Sequence, residues 1–526
     1  MKNATLSDLF KNMLRGQPFS QKPCLGFFLT LIFVIGCSSN ENKSTTRLED
    51  VAGTSETDAH PIVLVLLSES AKSSGDSESK EASGIGNQIQ KEFKSLEVGD
   101  ATVLKMTPDE FFGMDSKGEK DDGSPTIGLV QKADLVVYPP KYFGELIARK
   151  KIRSIPKYVV ESESYRASDV LRHQRRLFGY HDKTPFAVSM GTSSLMLMCR
   201  GDLFKIHGLK IPTTWEEYER VCKQLKDLQA SGDLQIPGIW SPAVEPLKGH
   251  WKSTTLISRS AGYVRVGGRY SCLFSYSKGE PLIGTEPFQK SLSEMKRVFG
   301  WMDEKHRNLD PMEVEAAFLN GECAMALTWP HPSEEESDDD ESVDVVTDAR
   351  LFPVPGSRFN FGFSDGKWSE SDSLQTQVPT LGVGGLCCSV LSTTKQSGVA
   401  ARRLGLIVGK ELSSSICFED KVNGFPNRAS QLADLGNWIS DRYPESFAEE
   451  FADLVESVNQ SSVWMMRPRF EKAAQFETIL SDNITECFNG ETAADVLVDA
   501  AVQVSQLKID RPLLKKLTLE GFGVEK

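Results

Sequence analysis

The 526-residue sequence lacks the features of several large classes of protein. It has no Lys/Arg-rich run that could follow a phosphate backbone, and its net charge is -13, which argues against nucleic acid as a partner. No apolar run reaches the roughly 20 residues of a membrane-spanning helix. No internal repeat of about 20 to 50 residues is present, which argues against solenoids and propellers.

Signatures of catalysis and of metal binding are also scarce. The seven histidines form no HExxH pair, the ten cysteines form no CxxC pair, and no glycine-rich phosphate loop is present. Acidic residues are numerous, but glycosidase carboxylates cannot be assigned among them, because that assignment depends on their separation in space. We therefore predict a protein that is not an enzyme and that holds no metal ion and no cofactor.

The cysteines are too dispersed to form a disulfide scaffold. Eight of them are scattered through the chain after residue 60, whereas disulfide-stapled domains are small and dense in cysteine. Their redox state stays open. Cys387 and Cys388 lie in the apolar run GGLCCSVL, which predicts small buried side chains of a strand rather than redox chemistry.

The N-terminal region has the pattern of an export signal. Basic residues precede the uncharged apolar run from Leu25 to Gly36. The following Cys37 completes the letters VIGC, which resemble the lipobox of bacterial lipoproteins, where a small residue precedes a cysteine that becomes lipidated. This resemblance implies a signal peptide over residues 1–36 and a lipid anchor on Cys37. An ordinary signal peptide, an uncleaved anchor and a start at Met13 are the alternatives.

The rest of the chain reads as a flexible tether followed by a folded α/β body. Residues 37–60 are polar and without periodicity, as in a linker. The apolar run Pro61–Leu67 predicts a strand buried on both faces, and further strands and helices alternate after it. Thr213–Glu216 predicts a capping box that opens an amphipathic helix. Its apolar face is formed by Tyr218, Val221, Cys222 and Leu225.

Two polar segments interrupt the body. Ser333–Asp344 is a block of acidic residues, which predicts a solvated loop, since it lacks the glycine turn and the ligand spacing of a calcium site. Residues 357–378 are also predicted to be a loop. Later segments, 396–412 among them, predict a C-terminal third that is mostly helical.

Several motifs, taken in order, resemble the extracellular solute-binding proteins of bacterial ABC importers, in particular the sugar-binding group that includes the maltodextrin-binding proteins. The order matters more than any one motif, since helix capping alone explains the letters TWEE. The chain departs from the family pattern in both inserts, in a long 413–463 segment and at Cys199-Arg200. The resembling pieces are Ala133–Tyr138, Thr184–Ser189, Leu195–Phe204, Gly208–Glu217, Phe318–Met325 and Phe352–Gly356.

The resemblance implies an α/β, two-lobed periplasmic-binding-protein fold with a ligand cleft between the lobes. Strand crossovers are expected near residues 185–191 and 378–386. Lobe 1 would comprise residues 61–188 plus about 380–440, and lobe 2 residues 189–379 plus about 441–526.

Candidate ligand-binding residues follow from the chemistry of sugar recognition, which uses flat aromatic faces together with hydrogen-bonding groups. The alternatives are core aromatic side chains and a plain turn. Trp240 and Trp251 are weaker candidates of the same kind. The residues that the resemblance places nearest the cleft are Tyr138, Trp329 and Trp464, with Gly191, Thr192 and Ser193 after the first crossover.

The function implied is that of a solute receptor. The chain would be exported, anchored to a membrane through lipidated Cys37, and would face the periplasm or the outer surface. It would capture a small solute, a sugar or an oligosaccharide, and deliver it to ABC transporter permease subunits. A lipoprotein hydrolase acting on polysaccharide and a solute sensor with the same fold are the alternatives. The sequence leaves the identity and affinity of the solute open.

Overall fold

The computed structural model describes nine stretches of the chain: residues 62–66, 83–95, 101–113, 130–234, 240–332, 348–370, 377–419, 424–439 and 441–524. The predicted signal peptide, Cys37, the tether and the acidic run Ser333–Asp344 lie outside them.

The strands are β1 Ile62–Leu66, β2 Thr102–Met106, β3 Leu135–Tyr138, β4 Ile152–Arg153, β5 Tyr180–His181, β6 Thr184–Pro185, β7 Val188–Ser189, β8 Met196–Arg200, β9 Ser241–Val244, β10 Cys323–Thr328, β11 Ala349–Pro353, β12 Phe359–Gly362, β13 Lys367–Glu370, β14 Thr380–Leu381, β15 Cys387–Leu391 and β16 Met465–Met466. The α-helices are α1 Ser83–Ser95, α2 Pro108–Gly113, α3 Phe143–Ala148, α4 Lys157–Val160, α5 Arg172–Arg176, α6 Gly201–Ile206, α7 Trp215–Ser231, α8 Trp251–Val264, α9 Glu286–Trp301, α10 Pro311–Leu319, α11 Ser397–Ile407, α12 Lys410–Glu419, α13 Ala429–Leu432, α14 Phe447–Gln460, α15 Ala473–Phe488, α16 Ala493–Gln506 and α17 Arg511–Gly521. Short 3-10 helices span Pro140–Tyr142, Glu304–His306 and Leu435–Asn437.

The first sheet has the strand order β2-β1-β3-β15-β4, and β7 also pairs with β15. Strand β1 is parallel to both of its neighbours, and β15 is antiparallel to β3. Alternate side chains of β1 enter two different cores: Val63 packs with Ile89 and Phe93 of α1, whereas Leu64 lies in the larger cluster. The strand is therefore covered on both faces, as its continuous apolar run predicts.

The second sheet has the order β11-β8-β10-β9. Strand β8 pairs antiparallel with β10 and β11 on its two sides, and β10 pairs parallel with β9. Every residue of β10 is buried. This sheet and its helices form the second α/β layer. The bounds predicted for the two lobes remain a prediction.

Helix α7 shows how local sequence determines an element. The Thr214 side chain accepts a hydrogen bond from Glu217 N–H, and the Glu217 carboxylate accepts one from Thr213 N–H at 3.0 Å. The cap thus lies one residue later than the predicted Thr213–Glu216 box. The predicted apolar face is confirmed, since all four of its residues are buried.

Two predictions about secondary structure are wrong. Residues 357–378 were expected to be a loop, but β12 and β13 form a hairpin there, in which Phe361 pairs with Trp368. Residues 363–366 form the turn, which ends with Gly366 at a φ of +64°. Residues 396–412 were expected to be one helix, but α11 ends at Ile407 and a second helix, α12, begins at Lys410. The helix is interrupted because Lys410 N–H donates to Ser164 O and not to a carbonyl of α11.

Two crossovers leave and re-enter the first sheet. The first comprises residues 190–195 between β7 of the first sheet and β8 of the second, and the second comprises residues 382–386 between β14, which pairs with β16, and β15 of the first sheet. Met190 N–H donates to Leu386 O at 2.9 Å, and Leu386 N–H donates to Gly191 O at 3.0 Å. Gly385 has a φ of +84°, and an added Cβ would lie 2.0 Å from Gly191 O. The crossovers are therefore held side by side, within a few residues of their predicted positions.

The cysteines behave as small core side chains. None of the eight within the described residues forms a disulfide, and all are buried. Cys387 and Cys388 lie in β15, as predicted from their apolar run. Burial raises the pKa of the Cys387 thiol to about 12, so this thiol stays protonated and unreactive near neutral pH.

Candidate functional site

The predicted residues Gly191, Thr192 and Ser193 lie in the first crossover, and all three are buried. Gln174 of α5 holds this segment from behind, because its side-chain amide donates to Thr192 O at 2.9 Å and its Oε1 accepts from Thr192 Oγ1 at 3.0 Å. Ser193 Oγ is different: it is buried and has no hydrogen-bond partner among the described residues. It is therefore the hydroxyl of this segment with spare hydrogen-bonding capacity.

Trp329 lies directly across the second crossover from Ser193. An added Cβ on Gly384 would lie 2.6 Å from Ser193 Oγ and 3.1 Å from the Trp329 ring. Two further rings continue the surface, since Trp251 and His331 lie 5.7 and 5.1 Å from the Trp329 ring. The structure thus brings two of the predicted site residues together with the weaker candidate Trp251. We call Trp251, Trp329 and His331 the aromatic belt.

A charged cluster borders the aromatic belt. Arg467 donates two hydrogen bonds to the Glu477 carboxylate, at 2.6 and 2.7 Å, and a third to Val383 O of the second crossover. The guanidinium also lies 5.7 Å from the Trp251 ring. Lys141, which follows β3 of the first sheet, lies 3.7 Å from Glu477. The cluster therefore links the crossover, the belt and both halves of the fold.

His250 adds a half-buried imidazole at the same place. Its ring lies 5.0 Å from that of Trp251. Burial, and to a lesser extent the nearby Lys141 and Arg467, hold the pKa of His250 well below its ordinary value. The imidazole is therefore neutral near pH 7 and keeps one donor and one acceptor nitrogen.

Tyr138 occupies a different environment. It ends β3, is fully buried, and its hydroxyl is hydrogen-bonded to Ser389 Oγ of the neighbouring strand at 2.8 Å. Burial raises its pKa well above the ordinary value. In this conformation its hydrogen-bonding group is used within the first sheet, and its contact with a ligand remains a prediction.

Trp464 also contacts residues outside the aromatic belt. Its indole N–H donates to Gly521 O at 2.9 Å, and its ring lies 4.4 Å from that of His173. Trp464 lines an open cavity together with Arg172, Arg175, Arg176 and Lys183. Trp464 thus lies on the wall of a basic surface cavity, and its role in ligand binding remains a prediction.

One sequence pattern resembles a catalytic motif and is explained by the fold. Gly362–Gly366 reads GFSDG, which fits the GxSxG pattern of a nucleophile elbow. That elbow requires a sharp turn from a strand into a helix. Here Gly362 ends strand β12, and residues 363–366 form the turn into strand β13, in which Ser364 is exposed. Ser364 therefore lacks the structural setting of a hydrolase nucleophile.

The described residues contain neither a metal-binding cluster nor a membrane-spanning helix. No cluster of three or more His, Cys, Asp or Glu side chains in the described stretches is arranged to bind a metal ion. None of the helices in these stretches combines the length and apolar character needed to cross a bilayer.

Sequence reasoning missed Lys141, His250, Arg467 and Glu477. Arg467 and Glu477 are ten positions apart on different elements, and no periodicity connects them. Trp251 offered a weak signal, as an aromatic residue beside a Pro/Gly-containing stretch.

The chain is similar to known proteins of one family. Residues 122–360 match the family model described as bacterial extracellular solute-binding protein. No curated protein matches the chain.

Solved structures match over most of the chain. A solute-binding protein of an ABC transporter from Agrobacterium radiobacter, in complex with ribitol, has a TM-score of 0.59 at 17% identity, covering 84% of this chain and 97% of that one. The maltose-bound MalE3 of T. maritima has a TM-score of 0.56 at 14% identity, covering 85% and 99%. The sugar-binding protein MalE of Xanthomonas citri has a TM-score of 0.56 at 13% identity, covering 87% and 97%.

These matches confirm the fold and the resemblance predicted from the sequence. The chain has the two-lobed α/β fold of the periplasmic sugar-binding proteins, and its residues 122–360 are similar to the bacterial extracellular solute-binding proteins.

Proposed function

We propose that this protein is a receptor that binds a sugar or a related polyhydroxyl solute between its two lobes and delivers it to an ABC permease. The observation that carries the proposal is the aromatic belt, which lies across the second crossover from the unpartnered Ser193 hydroxyl. Indole faces pack against the C–H surfaces of sugars, and hydroxyl groups supply directional hydrogen bonds. The structural relatives with ribitol and with maltose bind ligands of this class.

The belt is closed in this conformation. Trp329 is 4% exposed and Trp251 is 8% exposed, so a solute reaches them only when the lobes separate. The paired crossovers are the connections about which such a motion would occur. A solute that contacts both lobes stabilises the closed form, since a ligand shifts an equilibrium only by its differential affinity for the two states.

A thermal-unfolding screen against sugars and polyols tests the proposal. A ligand at 100 times its dissociation constant adds about 2.7 kcal/mol to the free energy of unfolding. We expect a selective rise in Tm with at least one solute, and its loss in Trp329→Ala. If no sugar or polyol in a broad panel raises Tm, the proposed ligand class is wrong.

Trp368→Ala is the matched control. Trp368 is also a tryptophan, but it packs in the β12–β13 hairpin, 5.7 Å from the Tyr263 ring and away from the belt. We expect this variant to change the Tm of the ligand-free protein while the ligand-induced rise persists. Equal loss of the rise in both variants would contradict a role for the belt.

We also propose that Cys37 anchors the exported protein to a membrane. The lipobox-like letters VIGC support this, and the polar residues 38–60 would give the receptor reach above the surface. Incorporation of labelled fatty acid tests the anchor. It is expected in the wild-type protein and absent in Cys37→Ser, and labelling that persists in the variant would refute it.

A further inference from the structure

Arg469 is a buried cation without a carboxylate partner. It lies between β16 and α15, is 5% exposed, and donates from Nη1 to Leu177 O. Its Nε and Nη2 atoms are buried and have no hydrogen-bond partner among the described residues. No Asp or Glu of those residues lies within ion-pair distance of it. A guanidinium in this state is costly, because burial removes its hydration without replacing it.

The two unpartnered atoms form the edge with which arginine binds carboxylates side-on. Four other arginines of this protein use the same Nε and Nη2 pair to hold a carboxylate. The pairs are Arg200–Asp202, Arg259–Glu245, Arg297–Glu219 and Arg467–Glu477. Arg469 has the same planar fork of two donors, but neither of them holds a carboxylate.

The guanidinium of Arg469 is also held in place. Its carbon lies 5.2 Å from the centre of the Phe143 ring. The backbone is fixed as well, since an added Cβ on Gly144 would lie 2.3 Å from Arg469 O. A side chain positioned by its neighbours is preorganised for a partner.

Arg469 lines a small cavity of about 50 Å³ that opens to solvent. Gly521, on the same wall, lies beside the fork: an added Cβ there would be 3.7 Å from Arg469 Nε. The remaining wall is mostly apolar, formed by residues that include Phe274, Phe470, Leu517 and Phe522. The space suits a small molecule with an apolar body.

The charges that act on Arg469 leave the fork open. Glu520 attracts it electrostatically, but the Glu520 carboxylate already accepts from His181 Nδ1 at 3.1 Å and from Asp182 N–H at 2.9 Å. The other cation on the wall, Arg467, is neutralised by Glu477. A carboxylate that reached Arg469 would therefore meet the Nε and Nη2 donors without displacing another carboxylate from them.

We infer that the Nε and Nη2 edge of Arg469 binds the carboxylate of a small organic acid whose apolar part occupies the adjoining cavity. This site adjoins the aromatic belt, since Arg467 contacts both, but it does not depend on the proposed sugar ligand.

Calorimetric titration of the full-length protein with acetate and butyrate tests the site, with acetamide and butyramide as neutral counterparts of the same shape. Ionic strength is kept constant with sodium chloride. We expect the acids to bind and the amides not to bind. Binding of neither acid, or equal binding of an acid and its amide, would overturn the inference.

Variants locate the binding. Arg469→Lys keeps the charge but loses the fork, and we expect at least a roughly tenfold weaker affinity for butyrate. Gly521→Ala narrows the cavity beside Arg469 Nε and is expected to weaken binding while leaving the arginine in place. Arg350→Lys, a change in the exposed pair with Glu450, is the control and should bind as the wild type does.

The outcomes separate this site from its alternatives. Unchanged butyrate affinity in Arg469→Lys places the acid elsewhere and refutes the inference, and if that variant does not fold, Gly521→Ala decides. Binding of inorganic phosphate without binding of either acid would overturn the carboxylate assignment. Trp329→Ala should leave butyrate binding unchanged, so that failure here and failure of the sugar proposal are distinguishable.

Discussion

At the scale of single residues, the burial of His173 makes the free energy of unfolding depend on pH. Its ring is 2% exposed, contacts Trp464, and lies 3.1 Å from Ser461 O through Nε2. Burial, reinforced by Arg172, lowers its pKa from 6.5 to about 4. Between these two values the unfolded chain binds a proton that the folded protein does not. The free energy of unfolding should therefore fall as the pH is lowered from about 6.5 to about 4.

The size of this effect is roughly 3 kcal/mol for His173, since each unit of pKa shift corresponds to about 1.4 kcal/mol. Urea unfolding of the wild type and of His173→Gln across this pH range measures it. We expect a shallower pH dependence in the variant, although His250 retains its own contribution. His207→Gln, at a half-buried position after α6, is the control, and an equal change of slope in both variants would contradict the assignment.

At the scale of elements, the two crossovers pack so closely that no side-chain atom fits between them at Gly385. Gly385→Ala would place a Cβ 2.0 Å from Gly191 O at a φ of +84°. Gly208 offers a matched comparison, because its φ is +62° and an added Cβ would meet nothing within 4 Å. The two substitutions therefore share the backbone strain and differ in the steric clash.

We expect Gly208→Ala to lower the free energy of unfolding by about 1 kcal/mol, the cost of a left-handed non-glycine residue. Gly385→Ala should cost several kcal/mol on the scale of overpacked cores and strained backbones, or prevent folding. Chemical denaturation of both variants measures the difference. Similar values for the two would show that the crossovers move apart easily.

Elements were predictable where one local pattern dominated. The apolar run of β1 and the periodicity of α7 predicted a buried strand and an amphipathic helix, and both are present. The β12–β13 hairpin was missed because its polar composition suggested a loop. Its stability comes instead from Trp368, which packs against Tyr263 and Phe361 from distant and adjacent elements.

The candidate site was less predictable than the fold. Trp329 and Ser193 could be named because each lies next to a recognisable motif. Arg467 and Glu477 could not be named from the sequence. Their salt bridge joins the segment after β16 to helix α15, and it forms only because the tertiary structure places these two elements side by side. Arg469 gave no signal at all in the sequence, because its significance lies in the partner that it lacks.

At the scale of the whole molecule, Glu477 connects the segment after β3 of the first sheet with the segment that holds the second crossover. It is fully buried between Arg467, which holds the second crossover, and Lys141, which follows β3 of the first sheet. Replacement by Gln would leave two buried cations close together without the carboxylate between them. Separation of the lobes is the motion that lets water reach both charges, so Glu477→Gln should favour an open form.

Glu245→Gln provides the comparison, because Glu245 is also fully buried and also bound side-on by an arginine, Arg259. That pair joins the residue that follows β9 to α8, so its loss should lower the free energy of unfolding by about 3 to 5 kcal/mol without opening the cleft. Small-angle X-ray scattering distinguishes the two effects. We expect a larger radius of gyration for folded Glu477→Gln than for the wild type and an unchanged one for folded Glu245→Gln. A wild-type radius in both variants would mean that the Glu477 cluster supports the local packing of the segment after β16 and does not hold the lobes together.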